Sequence, residues 1–176
     1  MVSRRSVCLS LASAALLPAL PGASFAQSRA DWEPYRNARL GYRIELPVGL
    51  FEVEAGSENA DGLRLLEIDG PAQIEILGSE NTQGVSPAEF ADFFSDADRI
   101  DRITYRADGA RWFVLSGHYA PEADETEDLV FYTKYLFNSD YSAFAAFEIS
   151  YPLAEKRRFD RLVTRLEKSL RAPARV

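Results

Sequence analysis

The sequence predicts an α+β fold, with a central antiparallel sheet of about six to seven strands covered on both sides. Three observations carry that prediction. Residues 129–151 place apolar side chains on both faces of two consecutive strands, the pattern of a sheet with no open face. The segment opening at Ser86 carries the marks of a helix start, and the segment after Pro152 repeats apolar residues at helical spacing.

The chain has 176 residues and begins with a segment unlike the rest. Arg4 and Arg5 precede an apolar run from Val7 to Leu20, and Pro18, Pro21 and Gly22 lead into the small-residue site Ser24-Phe25-Ala26. That order predicts a cleavable signal peptide over residues 1–26 and a periplasmic or secreted mature chain. Ser3-Arg4-Arg5-Ser6-Val7 reads as an ordinary Sec n-region that holds two arginines, with a twin-arginine signal, to which it is similar, as the alternative. Cys8 is the single cysteine and opens the apolar run instead of following it. A lipid anchor is therefore not expected, and beyond residue 26 disulfides, thiolate metal sites and cysteine nucleophiles are excluded. No later segment approaches the roughly 20 apolar residues of a membrane span.

Residues 27–37 are polar, contain Pro34, and read as a linker or N-terminal arm; residues 38–172 read as a single domain. Tyr42, Ile44 and Leu46 alternate on one face of a strand stopped by Pro47, and residues 48–54 give a short second strand. Residues 63–68 and 72–77 flank Asp69-Gly70-Pro71 as a hairpin. Ser86-Pro87-Ala88-Glu89 spells a capping box with proline at the first helical position. Phe90, Phe93 and Phe94 follow as a stripe expected to dock on the sheet, the helix ending near Ala97. Two long hairpins come next, residues 100–107 with 111–119 and 129–137 with 141–151. Last, Phe159, Leu162, Val163, Leu166 and Leu170 recur along a helix of about five turns, with Arg157, Arg161, Arg165 and Lys168 on its other side.

The formal net charge is −7, yet residues 153–176 carry eight basic and three acidic side chains. An acidic body with one short basic helix is a poor nucleic-acid binder, because phosphate neutralisation dominates such affinity.

Arg39-Leu40-Gly41-Tyr42-Arg43-Ile44-Glu45-Leu46-Pro47 resembles the opening strand of PsbP-like domains, Gly-aromatic-x-apolar-x-apolar-Pro. These are extrinsic photosystem II subunits and their bacterial relatives, which share a fold with a Ran-binding nuclear import factor. The resemblance covers residues 32–171 and implies an α/β/α sandwich. Trp112-Phe113-Val114-Leu115-Ser116-Gly117 and Phe147-Glu148-Ile149-Ser150-Tyr151-Pro152 resemble, more closely, exported bacterial proteins without an assigned role. Family members with known roles are mainly binding or assembly factors, so the resemblance implies binding and supplies no catalytic set.

Each site candidate has two readings. His118, the only histidine, ends a strand beside an acidic loop; it is either a base oriented by Asp124 or Glu125 or a plain strand-end imidazole. The loop with Glu122, Asp124, Glu125, Glu127 and Asp128 lacks the spacing and turn glycine of an EF-hand and reads as a solvated hairpin loop. One histidine without cysteine leaves no zinc constellation. Ser116 lies mid-strand and does not form a nucleophile elbow, and no phosphate-binding glycine fingerprint is present. Arg157, Arg161 and Arg165 form either a partner-binding face or a solvated one. The expectation is a non-catalytic envelope module that binds a protein or small ligand, with no cofactor, metal or nucleic acid. The alternative is a periplasmic hydrolase with an unmarked acidic or His118-centred site.

Overall fold

The computed structural model describes residues 31–59, 61–121 and 128–174. Residues 1–26, and with them the signal peptide and Cys8, lie outside the described residues, as do Glu122, Asp124, Glu125 and Glu127.

Seven strands form one antiparallel sheet: β3 (Phe51–Val53), β4 (Gly62–Glu67), β5 (Gln73–Glu80), β6 (Ile100–Gly109), β7 (Trp112–Tyr119), β8 (Leu129–Phe137) and β9 (Ala143–Pro152). Their spatial order is β3-β4-β5-β9-β8-β7-β6, so the last strand fills the centre between β5 and β8. In β9 only Glu148 is not buried, which is why its sequence is apolar on both faces. The β6–β7 turn is tighter than the sequence suggests: Gly109 pairs with Trp112, leaving Ala110 and Arg111 to make it.

The stretch read as a linker or arm carries a strand. Glu33–Arg36 (β1) pairs antiparallel with Arg43–Leu46 (β2), and Tyr35 sets its ring 6.1 Å from that of Tyr42. Local composition hides this strand because its pairing partner and aromatic contact both come from β2. Tyr42 is fully buried, its ring against Gly78, where any Cβ would come within 2.6 Å of a ring carbon. Glycine there lets the β1–β2 hairpin seat on the main sheet.

Helix α1 (Pro87–Ser95) starts as its sequence dictates. Ser86 Oγ accepts from the Glu89 amide at 3.3 Å, and the Ser86 amide donates to Glu89 Oε2 at 2.9 Å. The phenylalanine stripe is only partly right: Phe90 and Phe94 pack inward, but Phe93 is 78 % exposed. Pro87, Ala91 and Phe94 define the buried line at helical spacing, and Phe93 lies too far around the helix to join it. The helix ends at Ser95, capped by Asp96.

Helix α2 (Lys156–Ser169) follows a single 3-10 turn, Leu153–Glu155, and buries Phe159, Leu162, Val163 and Leu166. It is about one turn shorter than the periodicity suggests. Leu170 is buried but extended, because Arg171 forms a bridge to Arg43, its amide donating to the Arg43 carbonyl at 2.8 Å. Each fully buried apolar side chain of this helix contributes roughly 1.5–3 kcal/mol.

Two cores result, one on each face. α2 packs with β2 and the inner side chains of β3, β4, β5 and β9. α1 packs on an aromatic cluster from β7, β8 and β9, where Phe113 and Tyr135 stack at 4.7 Å and Phe90 meets Phe144 edge-on at 5.1 Å. The fold is thus α+β, an antiparallel seven-stranded sheet between helical layers.

Candidate functional site

The basic helix builds the larger concavity. A groove of about 480 Å³ runs between α2 and the ends of β3 and β4. Trp32, Leu50, Ile68, Phe159 and Leu162 give it apolar walls, and Ile68 is 50 % exposed. Arg158, Arg161 and Arg165 stand along its rim.

These arginines are held differently. Arg158 forks to Glu67 and Glu155 while its guanidinium lies 4.9 Å over the Phe159 ring. Glu67, its side chain only 2 % exposed, also accepts from the Ala72 amide at 3.2 Å, and so ties the β4–β5 turn to α2. Gly70 makes room for that carboxylate, since a Cβ there would overlap it. Arg165 donates from Nε to Glu45 at 2.7 Å and lies 4.4 Å over the Trp32 ring, a cation–π contact that positions both. Arg161 is exposed and, among the described residues, has no ion pair. Of the three arginines singled out in the sequence, Arg161 and Arg165 therefore line the groove and Arg157 does not. Arg158 was missed because a charge pattern does not show which basic residue meets a buried carboxylate.

A second polar centre sits on the other face. Glu148 of β9 is 13 % exposed, accepts from Tyr119 Oη, and pairs with Arg99 at 3.1 Å. Arg99 in turn lies 5.4 Å over the Phe94 ring and 5.1 Å over that of Tyr119. Burial pushes the Glu148 carboxyl above the usual carboxylate range despite the opposing pull of Arg99 and Tyr119. Burial, then the charge of Glu148, raises the Tyr119 phenol as well. This centre joins Arg99, just before β6, with Tyr119 at the end of β7 and Glu148 within β9, an arrangement that only the folded sheet reveals.

His118 does not join either centre. It lies half-buried opposite Arg102 and Val130 on the β7 face that carries Trp112 and Val114. Among the described residues no carboxylate comes within ion-pair distance of it. Asp124 and Glu125, the orienting partners expected from sequence, lie outside the described residues. Among the described residues no cluster of three or more metal-ligating side chains occurs. No helix among them is long and apolar enough to cross a membrane.

No protein-family model matches the chain, and no curated protein matches it in sequence. Solved structures do. The Saccharomyces cerevisiae Ran-binding protein Mog1p superposes with a TM-score of 0.58 at 9 % identity, over 81 % of this chain and 95 % of Mog1p. A mutant of Mog1 gives 0.57 at 9 % identity, over 80 % and 95 %. Cyanobacterial PsbP (CyanoP) from Synechocystis sp. PCC 6803 gives 0.54 at 12 % identity, over 89 % and 98 %. The fold is PsbP-like. At such identities the PsbP-like scaffold is what these proteins share, and the groove and the Glu148 centre are properties of this chain's own residues.

Proposed function

We propose that this chain is an exported, periplasmic binding or assembly module without catalytic activity. Its working surface is the arginine-rimmed groove, and its partner is a segment of an envelope protein carrying acidic side chains between apolar ones. The groove itself carries the reading. Apolar walls of Trp32, Leu50 and Ile68 lie beneath three guanidinium groups, two pre-positioned and Arg161 unengaged among the described residues. An arginine held by packing loses little freedom when it meets a carboxylate. The signal-like residues 1–26 support export, and the fold neighbour Mog1p, a Ran-binding protein, supports protein binding. The competing hydrolase reading finds His118 without an orienting carboxylate among the described residues, and both Glu148 oxygens already accept hydrogen bonds.

The test uses Trp32 as reporter in a Trp112→Phe background, titrated with a short peptide alternating Leu and Glu and with its Leu–Lys counterpart. Quenching or shift by the acidic peptide alone, weakened by salt and roughly tenfold by Arg161→Glu, is the expected result. Equal response to the basic peptide, or indifference to Arg161→Glu, would remove the groove as the docking surface.

A further inference from the structure

On the α1 side of the sheet, next to the Glu148 centre, a recess of about 100 Å³ opens over β4, β5 and β9. The strand register builds it in two rows. In the first, Arg64, Glu75 and Glu148 stand side by side across three strands. In the second, Gln73 stands beside Ser150.

The first row holds more negative charge than it neutralises. Arg99 engages Glu148. Arg64, Glu75's neighbour in register, turns to Glu54 instead, at 3.7 Å. Among the described residues Glu75 has neither an ion pair nor a hydrogen bond, although it faces a second carboxylate directly across the strand pair. Like charges so placed repel, and a cation between them would relieve that repulsion. The Glu148 oxygens each accept one hydrogen bond and retain a further lone pair.

The second row holds unspent hydrogen-bonding capacity. Ser150 is only 5 % exposed and lines the recess, yet its hydroxyl has no partner among the described residues. That hydroxyl meets the open recess and not the core, since among the described residues no buried side-chain oxygen or nitrogen lacks a partner, so it is free to donate to and accept from a ligand there. The adjacent Gln73 amide, also lining the recess, is likewise unengaged among the described residues. Among the described residues no third His, Cys, Asp or Glu joins the two carboxylates, which suits an ammonium better than a metal ion, because hard divalent cations gather six or more oxygens.

We propose that this recess binds a small hydroxylated primary amine, its ammonium between Glu75 and Glu148 and its hydroxyl on Ser150 and Gln73. The site is independent of the arginine-rimmed groove. Ethanolamine is the probe, followed through backbone amide resonances of the isotope-labelled protein, with glycerol and calcium chloride in parallel. Ethanolamine should shift Gln73, Glu75 and Ser150 saturably, with Glu75→Gln weakening binding about tenfold and Ser150→Ala about threefold. Glu75 is exposed, so its substitution leaves the fold intact, and unchanged resonances elsewhere verify that. An equal response to glycerol or calcium, no saturable response, or an unaltered affinity in Glu75→Gln would overturn the assignment.

Discussion

Helix α2 lays 14 residues across one face of the sheet and is extended by the β1–β2 hairpin, whereas α1 has 9 residues and packs mainly on β6 and β7. On the α2 face, apolar burial continues from β9 through β5 and β4 to Phe51 on the edge strand. On the α1 face the aromatic cluster stops near Leu77, and beyond it Leu66, Gln73 and Glu75 meet solvent. The covered face thus offers its groove at the helix margin, where long basic side chains bridge core and water. The half-covered face keeps its polar groups on the strands themselves, which explains why one site is an arginine rim and the other a recess between side-chain rows.

Phe159 and Phe94 compare the two faces most directly. Phe159, 2 % exposed and stacked on Tyr151 at 4.7 Å, should cost about 3–5 kcal/mol when changed to Ala. Phe94, 9 % exposed at the end of the short helix, should cost toward ~3 kcal/mol. Urea unfolding midpoints at constant slope measure both, and equal losses would erase the distinction between the faces.

Acid should sharpen the contrast, because the Glu148 centre lies on the half-covered face. Its carboxyl is raised above its ordinary value of 4.5, burial being the leading cause. Between that value and its folded value the native state holds more protons than the unfolded chain, so stability falls as pH rises through the window. The stability of the native sequence relative to Glu148→Gln should therefore climb as pH drops toward 4.5 and level off below it. A flat difference across that range in paired denaturation curves would contradict the burial argument.

Helix starts supply a third comparison. α1 has a complete capping box, while α2 has no side-chain cap and relies on its packed face. Ser86→Ala should cost about 1 kcal/mol, and hydrogen exchange should show the loss concentrated in Pro87–Ser95. Smallest of all, Phe93→Ser should change stability by no more than about 0.5 kcal/mol, since Phe93 faces water.

Phe93 and Phe94 also mark how far the sequence could be read. Spacing announced a helix docked on the sheet, and the Ser86 cap located its start within a residue. It could not rank two adjacent phenylalanines, because the small Ala91 between them and Pro87 turned the buried line away from position 93. The apolar line of α2 was legible because its packing partner is continuous. β1 was not, because Glu33-Pro34-Tyr35-Arg36 has little strand character without Tyr42 beside it. Arg161 and Arg165 were visible as charges, but Arg158's tie to Glu67 crosses 91 residues. Glu75, Glu148 and Ser150 meet only through the β5–β9 register, and nothing local foreshadows it.

That same register has a kinetic meaning. Gln73–Glu80 must wait for Ala143–Pro152 before its second edge is paired, and the intervening chain has to close as one long loop. Such non-local pairing slows folding. A nascent chain that has completed only β3 to β5 carries an open strand template, attractive to other chains. Expression yield for this protein should accordingly be governed less by the strength of its finished core than by how well the emerging first half is shielded until the final strand arrives.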